Sequence, residues 1–237
     1  MGQAFSIKEV LGWGWVQFKA HNGILLQATL TVIALNILSA LLRFMFSTTI
    51  LAPIFSIIFT IIGLFVGVGY KLITLRLARG EAVSYRNIFP PYKMVGRYFL
   101  ASLLIGLLIL GLVLVAIVVG FGVVLIVSLA HIDLLTGLVA AALLVGGMVG
   151  LMYISLRYCL VAFAVIDGAH IMESIHKSAV LTHGVKWKIF WFSMLAGLIN
   201  ILGALCILVG LLVTIPLTAM ALAKIYVLLK ARVEEKA

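Results

Sequence analysis

Apolar runs of membrane-spanning length alternate with short clusters of cations along almost the whole of this chain. The runs extend from Ile24 to Leu42, Ile50 to Tyr70, Phe99 to Val119, Leu138 to Cys159, Ile189 to Leu205 and Leu208 to Leu229. Each is close to the ~20 residues that a helix needs to cross a hydrocarbon core of ~30 Å. The pattern predicts an all-α polytopic membrane protein in one domain. Its membrane helices are expected at 24–42, 50–77, 99–119, 138–166, 189–205 and 208–230, the second and fourth running on past their apolar centres.

Two further stretches have the helical period but a polar face. Within 6–22, Ile7, Val10, Leu11, Gly14, Trp15 and Phe18 follow the i, i+3, i+4 spacing, with Lys8 and Lys19 elsewhere on the wheel. Within 170–182, Ile171, Ile175 and Ala179 share one face, and Glu173, His176 and Lys177 lie nearer the other. Both are predicted to lie in the membrane interface, where Trp13 and Trp15 suit the headgroup level. Ser6 and Glu9 have the spacing of a capping box, which starts the first of them. Asn36-Ile-Leu-Ser-Ala-Leu and Asn200-Ile-Leu-Gly-Ala-Leu stand at the same separation as Glu9 and Glu173. This suggests a weak parallel repeat of 6–70 and 170–230, each an amphipathic helix followed by a hairpin.

Glycine and proline mark the breaks. Pro90-Pro91 rules out one helix through the loop from Lys71 to Arg97, because proline lacks an amide hydrogen and restricts the residue before it. The apolar stretch from Phe99 to Ala130 is longer than a bilayer core as one helix, and Gly120-Phe121-Gly122 is where a break is expected. An outer loop over 128–137 follows, with His131 and Asp133 its strongly polar groups.

Charge sets the direction. The chain has 17 Lys and Arg against 7 Asp and Glu, a net charge of +10. With the N-terminus inside, every Lys and Arg except Arg43 falls on that same side, so the positive-inside bias predicts cytoplasmic termini. The plasma (inner) membrane of a prokaryote is the expected location. Met1 to Phe5 carry no basic segment ahead of a short apolar run and cleavage site, so a removable signal peptide is not expected.

Composition narrows the function. With 65% hydrophobic residues, 10% charged residues and a mean hydropathy of +1.32, a water-soluble core is excluded. The cations sit in short loops and helix ends, which argues against nucleic acid and for anionic membrane lipids, each charge contributing on the order of 1 kcal/mol of attraction. Arg76, Arg79, Arg86, Lys93 and Arg97 in the basic loop, with Arg157 late in the fourth span, form the predicted headgroup-binding set. Arg157 has the chemistry to grip a phosphate bidentately, to snorkel, or to pair with Asp167 if its helix continues. Lys224 is expected to snorkel. A membrane-protein partner is the other interaction considered.

Asn36 and Asn200 are intramembrane amides that must find partners, either in a polar cavity or, the favoured reading, in hydrogen bonds between helices. Gly63 with Gly67, and Gly146 with Gly150, have the spacing of close helix approach. Cys159 and Cys206 give neither a disulfide framework nor a metal-ligand spacing. Asp167 with His170, and His131 with Asp133, each lack a third ligand or a nucleophile nearby in sequence. No catalytic residue, metal or cofactor is predicted, and the expected role is non-enzymatic.

One stretch is recognisable. Leu156-Arg-Tyr-Cys-Leu-Val-Ala-Phe-Ala-Val-Ile-Asp167, then Gly184, Trp187 and Phe190, then 197–205 and Val209 to Leu217, resembles a bacterial and archaeal six-span family. That family includes the membrane domain of glycerophosphoryl diester phosphodiesterases and related uncharacterised integral membrane proteins. Weaker similarity runs through 78–81 and Phe89, while Val161 and Ala179 depart from the proline and tryptophan frequent there. The resemblance implies a membrane module; with the basic inner face and the interfacial helices, a lipid-interacting module or scaffold is the leading expectation. The resemblance does not imply hydrolysis, because that chemistry belongs to a separate soluble barrel. A small-solute transporter or lipid translocator is the competing expectation, prompted by Asn36, Asn200, Arg157, Pro53, Pro216 and the repeat.

Overall fold

The computed structural model describes residues 5–49, 51–129, 133–206 and 209–235, so Met1 to Ala4, Ile50, His131, Leu208 and Lys236 lie outside the described residues. In chain order the helices are α1 (Ile7–Ala20), α2 (Asn22–Met45), α3 (Leu51–Ala78), α4 (Tyr92–Leu129), α5 (Asp133–Tyr158), α6 (Val161–Ile166), α7 (Ile171–Leu181), α8 (Lys186–Leu205) and α9 (Leu211–Glu234). A short 3-10 turn, Tyr85–Ile88, joins α3 to α4, and no strand occurs among the described residues. Within these elements, 6 helical stretches are long and apolar enough to cross a membrane: α2, α3, α4, α5 running on into α6, α8 and α9. The chain is a multi-pass, all-α integral membrane protein.

Three antiparallel hairpins, α2/α3, α4/α5 and α8/α9, carry the spans. Alternation brings α1, the segment 79–91, the segment 159–185 and the end of α9 to one face of the bundle, called here the basic end. The core lies at that end. Buried residues run from Val66 to Ala78 in α3 and from Pro216 to Leu229 in α9, and all of α6 is buried with them. Toward the far end the side chains open outward, Val118 of α4 being 71% exposed and Met148 of α5 73%. In lipid this exposure costs nothing, since hydrocarbon tails are as apolar as the side chains.

Small residues allow the close approaches that build the basic end. Ile88 of the 3-10 turn is fully buried, and its backbone lies directly against Gly69 of α3, where any Cβ would collide with it. Tyr85 hydrogen-bonds Thr31 of α2 at 2.8 Å, so the turn folds back along both helices of the first hairpin instead of extending away. At Gly14 an added Cβ would lie 3.1 Å from the Leu217 carbonyl, which lets α1 press onto α9.

Several local expectations change. The Ser6 hydroxyl makes no cap bond. The chain there is fixed instead by Phe5, 5% exposed, whose carbonyl accepts from Lys188 Nζ at 3.4 Å. The Val10, Gly14 and Phe18 stripe expected at the lipid interface is buried, and α1 packs on α9, leaving Trp15 and Val16 outward. No break occurs at Gly120-Phe121-Gly122: α4 is one helix of 38 residues, about 57 Å long at 1.5 Å per residue. A glycine inside a helix costs about 1 kcal/mol, less than freeing backbone groups in hydrocarbon.

The span expected over 138–166 is two helices, because the chain turns at Cys159-Leu160 between α5 and α6. That turn leaves the Arg157 carbonyl to be satisfied from elsewhere. It accepts from Ser178 Oγ at 2.9 Å and Thr182 Oγ1 at 3.3 Å, so α7 turns Ser174, Ser178 and Thr182 inward. Ile171 and Ile175, the expected apolar face, are half-buried against the α4 and α6 side. The starts of α1 and α7, and of α2 and α8, have the same separation as Asn36 and Asn200. Their neighbours differ, α1 resting on α9 and α7 on α6 and α4.

The Gly69 contact gives a direct check. Gly69→Ala is expected to cost about 1–3 kcal/mol of stability through overpacking and to free the 3-10 turn, read as a lowered Tm in detergent. Gly67→Ala, where an added Cβ meets nothing within 4 Å, should leave Tm unchanged or slightly raised.

Candidate functional site

At the centre of the basic end, α6 ends where Gly168, at φ +96°, turns the chain: its amide donates to Val165 O at 3.0 Å, and Ala169 N donates to Ala164 O at 3.2 Å. Left-handed backbone of this kind favours glycine. The turn holds Asp167 at the corner, its side chain 14% exposed. Asp167 Oδ1 accepts from the Arg79 guanidinium at the end of α3. Its Oδ2 accepts from Lys230 Nζ at 2.6 Å and from the Tyr226 hydroxyl at 2.8 Å, both on α9.

Charge pairs extend outward from this carboxylate. Gly80, at φ +76°, ends α3 and places Glu81 3.8 Å from both Arg76 and Arg79. Lys230 lies 3.7 Å from Glu234. Burial alone would raise the Asp167 carboxyl, but the hydrogen bonds from Lys230, Arg79 and Tyr226 outweigh it and hold the group below the ordinary carboxylate range.

The structure divides the headgroup-binding set predicted from sequence. Arg76 and Arg79 are engaged internally by Glu81 and Asp167. Arg86 in the 3-10 turn, with Lys93 and Arg97 at the start of α4, are exposed and have no carboxylate partner among the described residues. Arg157 does not pair with Asp167. The chain turns between them, and α3 and α9 supply the cations at Asp167 instead. The Arg157 guanidinium lies 5.9 Å from the centre of the Tyr158 ring, and its Nε is buried with no hydrogen-bond partner among the described residues. Lys224 lies 4.9 Å over the Trp13 ring, bound to α1 rather than simply snorkelling.

The two intramembrane asparagines also part. Asn36 is exposed on α2 and donates to Val32 O at 2.8 Å, one turn back on its own helix. Asn200 donates to Thr218 Oγ1 at 3.3 Å and so joins α8 to α9, while Asn200 Oδ1 and Thr214 Oγ1 are buried without partners among the described residues.

Sequence reading missed the neighbours of Arg157. His176 and His183, from α7 and the turn after it, and Arg232, from the end of α9, line a cavity of about 520 Å³ with it. It also missed Tyr226 and Lys230 as partners of Asp167. The available signal was scarcity: Asp167 is among only 7 carboxylates in the chain, and Tyr226 and Lys230 stand one helical turn apart. Among the described residues no group of three His, Cys, Asp or Glu could hold a metal ion. Aromatic side chains ring the start of α8, where Trp187, Phe190 and Trp191 stack edge to face and Lys186 lies 3.7 Å over the Tyr153 ring.

Comparison with family models, with curated proteins and with solved structures finds no match to this chain. The residues of the site therefore carry the functional argument.

Asp167→Asn is expected to lower stability by about 1–3 kcal/mol, because Arg79 and Lys230 lose a shared counter-ion in a mostly buried position. The native carboxyl has a depressed pKa, so its contribution is present above the ordinary carboxylate value of about 3.9 and is lost as pH falls through the lower native value. Unfolding midpoints measured from pH 6 to pH 2 should show a steeper acid loss in the wild type than in the variant.

Proposed function

We propose that this protein is a non-enzymatic membrane module whose basic end faces the cytoplasmic leaflet of a prokaryotic plasma membrane and gathers anionic lipid. The observation that carries this reading is the trio Arg86, Lys93 and Arg97, exposed and without carboxylate partners among the described residues at the end where Asp167 has already drawn in Arg79 and Lys230. Free cations at headgroup level are counter-ions in search of an anion, and anionic lipid supplies it. Trp13 and Trp15 on α1, and Trp187 and Trp191 on α8, belong to the same end and suit the interfacial layer. The positive-inside bias supports cytoplasmic termini. The resemblance of 156–167 to a six-span membrane family supports a module that serves other proteins, and the repeated order of α1–α3 and α7–α9 supports descent from one unit used twice.

A lipid translocator is the second reading. It is favoured by Asn200 Oδ1 and Thr214 Oγ1, buried and unpartnered among the described residues between α8 and α9, near Pro216, which supplies no amide hydrogen to the helix. Flux of lipid or solute in proteoliposomes above empty vesicles, abolished by Asn200→Leu, would favour it over the module.

Quenching of tryptophan fluorescence by brominated lipid tests the leading reading, because all 4 tryptophans lie at the basic end. Brominated phosphatidylglycerol is expected to compete against phosphatidylcholine for that end at least tenfold better than brominated phosphatidylcholine does. Replacing Arg86, Lys93 and Arg97 by Gln should remove most of the preference at low salt, and equal quenching by both lipids in the wild type would refute the reading.

Orientation has its own check. Cys206, at the far end of α8, is exposed, and Cys159, at the basic end of α5, is half-buried. A membrane-impermeant maleimide added to intact cells should label Cys206, whereas labelling of Cys206 only in inverted vesicles would reverse the proposed topology.

A further inference from the structure

We infer that the cavity between α5, α7 and α9 binds a phosphate group through Arg157 and Arg232, and that its occupant is the phosphomonoester headgroup of a membrane lipid. The inference rests on the reading of the basic end as the headgroup-facing side.

The lining is cationic. Arg157, His176, His183 and Arg232 contribute to a space of about 520 Å³, with Gly184 and Leu229 among the other walls and no carboxylate. None of these four side chains forms an ion pair among the described residues. The contrast with Asp167 is informative: a few residues away at the same end, Arg79 and Lys230 share its carboxylate. Arg157 Nε is buried without a hydrogen-bond partner among the described residues, a donor whose lost hydration none of them replaces. Two guanidiniums brought around one cavity repel unless an anion separates them. Arginine's planar fork matches two oxygens of one phosphate, which a lysine ammonium does not.

Charge selects the class of phosphate. Two arginines without an acid leave two positive charges, and a phosphomonoester approaching its dianion balances them, where a phosphodiester supplies one. Position selects the lipid source. From the cavity toward the far end, Leu151 and Met148 of α5 and Trp191 and Leu195 of α8 are exposed in succession, 40%, 73%, 51% and 38%. Since α5 and α8 are in contact, this pair of helices offers exposed apolar side chains along the span below the cavity's end, the direction acyl chains take from a headgroup.

The test uses the full chain in phosphatidylcholine nanodiscs carrying equal mole fractions of phosphatidic acid or phosphatidylglycerol. Native mass spectrometry counts retained lipid, and thermal shifts with inorganic phosphate and glycerol 3-phosphate follow in lipid without phosphatidic acid. Arg232→Gln alters a half-buried side chain near the end of α9, and Arg157→Lys keeps the charge and the main-chain bonds to Ser178 and Thr182 while removing the fork. The wild type should retain phosphatidic acid in preference to phosphatidylglycerol, and each variant should lower that retention about tenfold with Tm unchanged in plain phosphatidylcholine.

Undiminished retention in both variants would overturn the cavity assignment while leaving the lipid preference at Arg86, Lys93 and Arg97 standing. Stabilisation of the wild type by soluble phosphate, lost in the variants, without retained phosphatidic acid, would overturn the lipid assignment and identify a soluble phosphate ester as occupant. Loss of the brominated-lipid preference in the wild type, with the cavity still binding phosphate, would sink the broader reading and not the cavity chemistry.

Discussion

Three side chains from the basic ends of two helices converge on one carboxylate. Arg79 closes α3, Lys230 and Tyr226 lie on the last turns of α9, and all three reach Asp167 at the corner after α6. Without that anion, cations from α3 and α9 would meet in a low-dielectric setting with nothing between them. With it, the repulsion becomes the tie that fixes the relative positions of the first and third hairpins. The short helix α6 exists for this geometry: six apolar residues sunk in the core, ended by a glycine that only a left-handed turn requires, with the aspartate at the exit.

From this tie follows the uneven distribution of order along the membrane normal. In water a bundle closes along its whole length because exposed leucine is unfavourable; in lipid only van der Waals packing and polar contacts distinguish protein from solvent. The polar contacts here are concentrated at the basic end, so the core is concentrated there too, and toward the far end side chains such as Leu114 and Val118 of α4 and Leu144 of α5 turn to hydrocarbon. A packed platform at the basic end, with lipid-facing hairpins beyond it, follows. The platform's cations fall into those paired with carboxylates, such as Arg79 and Lys230, those set over rings, such as Lys224 and Lys186, and those without a carboxylate partner among the described residues, such as Arg86, Lys93 and Arg97. The proposed function rests on that division.

Much of the fold was legible, because apolar length and positive charge report directly on membrane passage. The six spans, the continuation of α3 toward Leu77 and the interruption at Pro90-Pro91 all follow from composition and backbone chemistry. What period alone could not show was which face meets protein: in a lipid setting an apolar stripe has two suitable neighbours, so the stripe of α1 was assigned to lipid when it packs on α9. The inward serines of α7 were illegible for a similar reason. They answer a need, the Arg157 carbonyl freed by the turn at Cys159-Leu160, that lies about twenty residues away in the chain. At the candidate site, Arg157 was visible as an intramembrane cation, but Arg232 and His183 come to it through tertiary packing that no local spacing encodes. Asn36 and Asn200, alike in sequence context, differ because α9 offers Thr218 to one, while the other turns back to its own helix.

The central claim is that the basic end is a headgroup-facing platform whose unpaired cations are completed by anionic lipid. The most direct measurement is the lipid composition around the protein extracted straight from its host membrane into polymer-bounded native discs, compared with a control six-span protein by lipid mass spectrometry. The account predicts anionic lipid well above the bulk fraction, with phosphomonoester lipid the most enriched class. A lipid shell indistinguishable from bulk membrane and from the control would contradict it.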